Sequence, residues 1–242
     1  MKENIIEVFS SIQGEGKYVG CRQIFLRLTG CNLSCPYCDT DFAAASHPTC
    51  QVETIPGSHL FKELTNPVSL DVLVQELRSL LTVPHHSISL TGGEPLLHTA
   101  FIRALAEAMK VPIFLETNGT LAERLREVLP YIAHISMDIK LPSLVGEDTL
   151  PLHEAFLQAA REKDCYVKLV VADSTEDGEI EDICRLVQRV SPRSLVILQP
   201  VTPYGGIEAA SPRRMLGLQA LALRYLSDVR IIPQTHRMMN QL

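Results

Sequence analysis

Short apolar runs rich in β-branched residues alternate along this chain with amphipathic segments, and this alternation restricts the possible folds more than any other feature. Short apolar runs predict strands, whereas apolar residues spaced three and four apart predict helices. The predicted strands are Ile5–Phe9, Ile24–Leu28, Ser87–Thr91, Ile113–Glu116, His134–Asp138, Tyr166–Val171, Ser194–Leu198 and Val229–Ile232. The predicted helices are Leu70–Leu81, Ala100–Met109, Leu121–Leu129, His153–Glu162, Glu179–Val190 and Pro212–Tyr225. Strands and helices in alternation are typical of parallel sheets that are covered by helices.

The number of strand–helix units indicates an open sheet. A closed barrel of this kind has eight units, and this chain of 242 residues shows too few of them. We therefore expect an α/β fold with a partial, open β/α barrel, formed as one domain over residues 1–242. Residues 43–67 show no clear periodicity, and we expect an irregular excursion there.

Composition and charge argue against several classes of function. The chain is 46% hydrophobic and 21% charged, which is ordinary for a globular protein. Acidic residues outnumber basic ones by 28 to 22, so we expect no nucleic-acid partner. No apolar run approaches the length of about 20 residues that spans a membrane, and the start of the chain has no apolar signal core. The seven cysteines show no disulfide-scaffold spacing, and we therefore expect a cytoplasmic protein without membrane attachment.

Three cysteines form the most specific motif of the chain. Cys31, Cys35 and Cys38 are separated by three and then two residues. Three thiolates can ligate three irons of a [4Fe–4S] cluster and leave the fourth iron open, whereas electron-transfer clusters normally have four cysteine ligands. A zinc site is an alternative that needs a fourth ligand, such as His47 or Cys50. A redox pair formed by the last two cysteines would leave Cys31 unexplained.

Polar segments follow the predicted strands at their carboxyl ends, where barrel-like parallel folds collect their active sites. These segments are Gly30-Cys31, Gly92-Gly93-Glu94-Pro95, Thr117-Asn118-Gly119, Asp138-Ile139-Lys140 and Gln199-Pro200. Taken singly, each is also compatible with an ordinary turn or cap. Taken together, they predict one shared rim.

The cysteine spacing, with Tyr37 directly before the last cysteine, resembles the signature of the radical S-adenosylmethionine (radical SAM) superfamily. The resemblance implies the superfamily's partial barrel and a [4Fe–4S] cluster whose open iron binds S-adenosylmethionine. It further implies a 5′-deoxyadenosyl radical that removes a hydrogen atom from the substrate. The implied cofactor contacts are Tyr37, Cys38, Asp39, Gly93, Glu94, Asn118, Ser136, Asp138, Gln199 and Pro200.

A second set of residues resembles one family of that superfamily, the 7-carboxy-7-deazaguanine synthases. The resemblance rests on Gln13-Gly14-Glu15-Gly16, Arg27, the segment 38–42 and Gln234-Thr235-His236. It implies a lyase that converts 6-carboxy-5,6,7,8-tetrahydropterin to 7-carboxy-7-deazaguanine, a precursor of queuosine and other 7-deazapurines. The implied steps are hydrogen abstraction, Mg²⁺-assisted ring contraction and loss of ammonia. Flavodoxin or ferredoxin as reductant, and a homodimer, are further family expectations.

The same resemblance implies roles for individual residues. Arg27 matches the partner of the substrate carboxylate, and Thr40 matches a hydroxyl ligand of Mg²⁺. The implied substrate contacts are Ile12, Gln13, Gly14, Glu15, Arg27, Thr91, His236 and Leu242. From the residues alone, Arg27 also fits a structural ion pair, Thr40 a helix N-cap and Leu242 a frayed terminus.

One segment departs from the synthase pattern. The run from Ser136 to Lys140 is more similar to radical SAM activating enzymes for glycyl-radical proteins, which would need a protein partner. An activating enzyme would have no need for the set formed by Gln13, Glu15, Arg27 and Thr40. A non-catalytic zinc or iron–sulfur binding module is the third possibility that the sequence leaves open.

Overall fold

The computed structural model describes residues 1–36, 38, 47–204 and 206–241. Its strands are β1 (Lys2–Glu3), β2 (Ile5–Ile12), β3 (Arg22–Leu28), β4 (Thr49–Glu53), β5 (Phe61–Thr65), β6 (Val68–Ser69), β7 (Ser87–Gly92), β8 (Ile113–Thr117), β9 (Ile132–Ile139), β10 (Asp164–Val171), β11 (Val196–Pro200) and β12 (Val229–Ile231). Its α-helices are α1 (Leu70–Leu80), α2 (Thr99–Met109), α3 (Ala122–Val128), α4 (Pro142–Val145), α5 (Leu150–Ala160), α6 (Asp177–Val190), α7 (Pro212–Ala222) and α8 (Thr235–Met238). In the described ranges, no helix is long and apolar enough to cross a membrane.

Every predicted strand and helix is present, with small differences at the ends. Helix starts were readable because they depend on local capping chemistry. At the start of α7, for example, the Ser211 side chain accepts a hydrogen bond from the backbone nitrogen of Arg214, and Pro212 occupies the first turn. Pro is favoured there because its missing N–H would have no partner inside the helix.

The main sheet has ten strands in the order β12-β11-β10-β9-β8-β7-β3-β2-β4-β5. Strands β3 and β7 to β12 run parallel to one another. Strand β2, on the other side of β3, runs antiparallel to it. Over the described ranges the two outer strands, β12 and β5, form free edges, so the sheet does not close on itself. The predicted open, partial barrel is therefore confirmed.

The prediction of an irregular excursion over residues 43–67 is wrong for the part that the structure describes. Strands β4 and β5 form an antiparallel hairpin, and β4 extends the main sheet beside β2. The hairpin depends on this contact with β2: the backbone nitrogen of Ser10 donates to Glu53 Oε2 at 2.8 Å, and Cys50 and Val52 are fully buried. Two strands of five residues each carry too short an alternation to be recognised without their neighbour.

The two faces of the parallel strands differ in polarity. Side chains alternate between the faces of a strand, so every second residue contributes to each face. One face packs on the helices and belongs to the main hydrophobic core, with Ile24, Leu26, Leu28, Ile88, Leu90, Leu115, Ile135, Met137, Val167, Leu169 and Leu198. The other face carries Gln23, Arg27, Ser89, Thr91, Glu116, Ser136, Asp138, Lys168 and Gln199. The aliphatic face stabilises the fold and leaves the polar face free for binding.

Candidate active site

A cavity of about 560 Å³ opens over the polar face at the carboxyl ends of the parallel strands. A volume of this size can enclose a small molecule. The predicted site residues that line it are Glu15, Arg27, Cys31, Cys35, Cys38, Thr91, Gly93, Asn118, Ser136, Asp138 and Gln199. Segments that are far apart in the sequence thus meet at one rim, because the ends of parallel strands lie side by side.

Other predicted residues lie beside the cavity or behind it. These are Ile12, Gln13, Gly14, Glu94, Pro200 and His236, which are not among its lining residues. The backbone nitrogen of Thr235 donates to Gly14 O at 2.8 Å, and His236 packs directly against Gly14. The C-terminal segment is therefore docked on the predicted substrate-binding loop. Tyr37, Asp39, Thr40 and Leu242 lie outside the described residues.

The cysteine loop is fixed by close backbone contacts with the loop after β7. The backbone nitrogen of Glu94 donates to Gly30 O at 2.8 Å, and that of Gly93 donates to Leu28 O at 3.1 Å. A Cβ atom on Gly93 would lie 1.7 Å from the Gly30 carbonyl oxygen. The approach of the two loops therefore requires glycine at position 93.

The chemistry of the three cysteines fits an iron–sulfur cluster. Burial raises the pKa of the Cys31 and Cys35 thiols, so a bound metal would be needed to favour their thiolates. Among the described residues, no group of three His, Cys, Asp or Glu side chains is arranged to hold a single metal ion. A [4Fe–4S] cluster takes one thiolate on each of three separate irons. Cysteines spread along one cavity wall are therefore better suited to a cluster than to one zinc ion.

Two buried oxygen atoms indicate a further ligand at the rim. Asp138 Oδ1 on β9 and Gln199 Oε1 on β11 have no hydrogen-bond partner among the described residues, and both residues line the cavity. An unpaired buried polar atom costs free energy, so such atoms are normally satisfied by protein, water or ligand. A ligand with N–H or O–H donors that lies over these strand ends would offer both oxygens a partner.

Glu94 connects two strand ends beneath the rim. Its carboxylate accepts hydrogen bonds from the backbone nitrogens of Leu96 at 3.0 Å and Asn118 at 2.8 Å, and from the Thr117 hydroxyl at 2.9 Å. Burial nevertheless raises the pKa of Glu94 to about 7. A nearby ammonium group would lower this pKa, so Glu94 is suited to a cationic ligand.

Glu15 and Lys168 form a buried ion pair at the cavity. Lys168 Nζ donates to Glu15 Oε2, and Gln234 Nε2 donates to Glu15 Oε1 at 2.6 Å. Burial by itself would raise the pKa of Glu15, but the Lys168 ammonium and the Gln234 amide together lower it to about 2. Glu15 is therefore a permanently ionised acceptor at the cavity wall.

Arg27 combines two of the roles that the sequence left open. Its Nε donates to Glu7 Oε1 at 2.6 Å, and the residue also lines the cavity. A guanidinium has five N–H donors, and the bond to Glu7 uses only the Nε donor. The structural ion pair and an anion contact are thus compatible.

The sequence analysis missed Lys168 and Glu116 as site residues, although both line the cavity. Glu116 accepts hydrogen bonds from Gln13 Nε2 at 2.9 Å, Ser89 Oγ at 3.0 Å and Thr91 Oγ1 at 3.2 Å. Both residues interrupt apolar strands, as in Val167-Lys168-Leu169. Because charged side chains are rarely buried without a partner, a charge at this position of a strand was the available signal.

Comparisons with known proteins agree with these features. The Radical SAM superfamily matches residues 26–187. The chain is 44% identical over 242 residues to the 7-carboxy-7-deazaguanine synthase of Geobacter sulfurreducens, an alignment that covers 98% of this chain and 96% of the relative. It is 34% identical to the synthase of Methanocaldococcus jannaschii, with 98% of this chain and 100% of the relative covered. The crystal structure of QueE from Escherichia coli shares the fold, with a TM-score of 0.59 and 21% identity over 98% of this chain and 95% of that one. The chain therefore belongs to the radical SAM superfamily and, within it, to the family of 7-carboxy-7-deazaguanine synthases.

Proposed function

We propose that the protein converts 6-carboxy-5,6,7,8-tetrahydropterin to 7-carboxy-7-deazaguanine with loss of ammonia, in the biosynthesis of queuosine and other 7-deazapurines. Family membership makes it an enzyme of the radical SAM type. One observation carries the choice of substrate: the cavity that contains the three cysteines also contains an ionised acid, Glu15, and a guanidinium, Arg27. The proposed substrate carries N–H donors at one end and a carboxylate at the other.

The residues around the three cysteines would hold the cofactors. Cys31, Cys35 and Cys38 would ligate the [4Fe–4S] cluster, which together with S-adenosylmethionine supplies the radical that removes a substrate hydrogen. Asp138 Oδ1 and Gln199 Oε1 have the acceptor capacity that a nucleoside would use. The full proposed set of cofactor contacts is Tyr37, Cys38, Asp39, Gly93, Glu94, Asn118, Ser136, Asp138, Gln199 and Pro200.

The other end of the cavity would bind and orient the substrate. As an ionised carboxylate, Glu15 can only accept hydrogen bonds, so it would favour the N–H edge of an aminopyrimidine ring. Arg27 would pair with the substrate carboxylate, because a guanidinium matches this group with two parallel hydrogen bonds. Recognition at both ends would fix the orientation of the ring. Ile12, Gln13, Gly14, Thr91, His236 and Leu242 complete the proposed set of substrate contacts.

Further parts of the proposal rest on the resemblance to the family. Thr40 would provide a hydroxyl ligand for Mg²⁺, which prefers oxygen donors. Flavodoxin or ferredoxin would reduce the cluster, and two copies of the chain would form a homodimer. We infer one domain over residues 1–242, and a cytoplasmic location because its cysteine usage fits a reducing compartment.

The decisive experiment is anaerobic reconstitution followed by turnover with 6-carboxytetrahydropterin, S-adenosylmethionine, Mg²⁺ and a reductant. We expect 7-carboxy-7-deazaguanine, identified by mass. Cys35→Ser should abolish product, whereas Cys21→Ser, at a cysteine that does not line the cavity, should not. If 5′-deoxyadenosine forms without this product, the radical chemistry stands and the substrate assignment fails. That outcome would favour the activating-enzyme alternative.

A further inference from the structure

The polar face beneath the cavity carries more negative than positive charge near Lys168. Three carboxylates interact with the Lys168 ammonium, namely those of Glu15, Asp138 and Glu116. Lys168 is 8% exposed, so most of its surface contacts protein. A lysine is rarely buried unless it is paired. Its position therefore calls for a role beyond the packing of β10.

We propose that Lys168 is a positioning residue for the substrate, which keeps Glu15 ionised and aimed at the cavity. The inference rests on the proposed function, in which Glu15 recognises the N–H edge of the pterin. Lys168 would act through Glu15 and would not need to touch the substrate itself. The residue is thus assigned to substrate specificity and not to the radical chemistry.

The geometry fixes the Glu15 carboxylate from two directions. Lys168 Nζ on β10 donates to Oε2, and Gln234 Nε2, after β12, donates to Oε1 at 2.6 Å. The backbone nitrogen of Glu15 also donates to Gln13 Oε1 at 3.0 Å, which anchors the main chain. A carboxylate has about four acceptor positions. Both oxygens therefore keep acceptor capacity for a ligand.

The charges around the Glu15–Lys168 pair explain why the Lys168 ammonium favours the ionised form of Glu15. The titratable groups that face Glu15 or Lys168 are Glu116, Asp138, Tyr166 and His236, and Asp138 is shared with a second cation, Lys140, at 2.9 Å. The carboxylates raise the pKa of Lys168 despite its burial, so the lysine stays charged over the working range of pH. Burial is the largest single influence on Glu15 and raises its pKa, and Lys168 is the main group that opposes it, so loss of this cation would raise the pKa of Glu15. A protonated Glu15 would lose its preference for an N–H edge.

The test is a binding titration of 6-carboxytetrahydropterin to the reconstituted protein with S-adenosylmethionine present, without reductant and therefore without turnover. Affinity is measured by calorimetry from pH 5 to pH 9 for the unmodified protein, Lys168→Met and Lys168→Arg. Lys163→Met is the matched control, because Lys163 precedes the same strand and donates to Ile132 O at 2.9 Å, away from the cavity.

We expect Lys168→Met to weaken binding by about ten- to a hundredfold near pH 6, the range of a charge-assisted hydrogen bond. The loss should shrink as pH rises, because a raised Glu15 pKa leaves the acid ionised only at higher pH. Lys168→Arg should restore most of the affinity and a flat profile. A purely structural role would lower stability but would not create this pH dependence.

Two other outcomes would overturn the inference, and they differ in what they say about function. If the unmodified protein binds the pterin and Lys168→Met follows the profile of Lys163→Met, the role of Lys168 is refuted and the proposed function stands. If the unmodified protein does not bind the pterin, the proposed function itself fails and the inference fails with it.

A double variant covers the case in which Lys168→Met does not fold. Glu15→Gln combined with Lys168→Met removes both charges of the ion pair, while Asp138 keeps its pair with Lys140 at 2.9 Å and Glu116 keeps its hydrogen bonds from Gln13, Ser89 and Thr91. If Lys168 acts through Glu15, the double variant should bind the pterin as weakly as Glu15→Gln alone. Losses that simply add would refute the coupling.

Discussion

The two ends of the polar sheet face are built from the same strands but have opposite properties. At the carboxyl ends, the cavity contains buried oxygens of Asp138 and Gln199 that lack a hydrogen-bond partner among the described residues. At the amino ends, the side chains of a set that we call the lower cluster contact one another. It comprises Lys17, Tyr18, His86, Phe114, His134 and Asp164.

Hydrogen bonds and ring contacts satisfy the lower cluster internally. Tyr18 donates to Asp164 Oδ2, and His134 Nδ1 lies 2.9 Å from the same oxygen. Lys17 pairs with the other oxygen at 2.5 Å. The Tyr18 ring meets the Phe114 ring edge-on, with centroids 5.6 Å apart. These contacts hold the side chains of the cluster to one another, although Lys17 is exposed and both Lys17 and Asp164 also line a second cavity.

The difference separates function from stability within one sheet. In barrel-like folds, the carboxyl ends of the strands carry the chemistry, whereas the opposite end serves stability. Polar residues at the upper end include buried oxygens without a described partner, whereas those of the lower cluster bind mainly to one another. Variants at the two ends should therefore change different quantities.

The largest effect is expected at Gly93, where the cysteine loop meets its neighbour. Gly93→Ala places a Cβ against the Gly30 carbonyl and should separate the two loops. We expect iron content and turnover to fall by about tenfold or more, with a stability cost of about 1–3 kcal/mol. Iron and sulfide analysis after reconstitution measures this. Gly178→Ala is the control, because nothing lies within 4 Å of its new Cβ. Normal iron loading in Gly93→Ala would contradict the close approach.

Acid should cost stability at the upper end through His153. Its Nδ1 lies 3.0 Å from Gly119 O, and its Nε2 accepts from the backbone nitrogen of Lys140 at 3.2 Å. Burial lowers the pKa of His153 to about 4. The unfolded chain then binds the proton first as pH falls, so His153 should cost about 3 kcal/mol of stability between pH 6.5 and pH 4, a loss that the raised pKa of Glu94 opposes.

Denaturant unfolding of the reconstituted protein at several pH values measures this dependence. His153→Gln should remove the contribution of His153, so stability should fall less between pH 6.5 and pH 4 than in the unmodified protein. In the lower cluster, burial lowers the pKa of His86, so its protonation also costs stability in that window. Asp164 does not contribute there, because Lys17, Tyr18 and His134 overcome burial and lower its pKa to about 2. Stability from Asp164 is lost only as pH falls from about 4 towards 2. An unchanged slope in His153→Gln would assign the dependence to other groups.

Arg27 offers a test of function at the upper end. Arg27→Lys keeps the charge but loses the planar pair of donors, so we expect the apparent KM for the pterin to rise about tenfold. Glu7→Gln removes the structural partner of Arg27 and should change KM much less. Steady-state kinetics of both variants decides between the roles. If Glu7→Gln had the larger effect, Arg27 would be mainly structural.

The smallest effect is expected at Tyr18 in the lower cluster. Tyr18→Phe removes one hydroxyl and leaves Asp164 with Lys17 and His134 as partners. We expect the free energy of unfolding to fall by about 1 kcal/mol and kcat to stay unchanged. Unfolding curves and turnover measured on the same preparation test both parts. A loss of turnover without a loss of stability would contradict the proposal that the upper end serves function and the lower end serves stability.

Much of the fold could be predicted because its signals are local. The aliphatic runs of β7 to β11 and the apolar stripes of the longer helices follow from the period of each element. The hairpin of β4 and β5 was missed because its partner strand β2 lies far away in the sequence. Short strands take their stability from pairing, which no local pattern records.

The cysteine spacing, the Gly-Gly-Glu segment and the carboxyl-end positions of the polar segments were readable from the sequence by themselves. They determined the superfamily and, with Arg27 and the Gln13–Glu15 segment, the family. Only the tertiary structure paired Lys168 with Glu15, residues 153 positions apart. It likewise decided which strand ends meet and which buried oxygens stay unpaired. A motif in the sequence shows which chemical groups are present and how they are spaced. The charge state of a buried acid depends on neighbours that only folding brings within hydrogen-bonding distance.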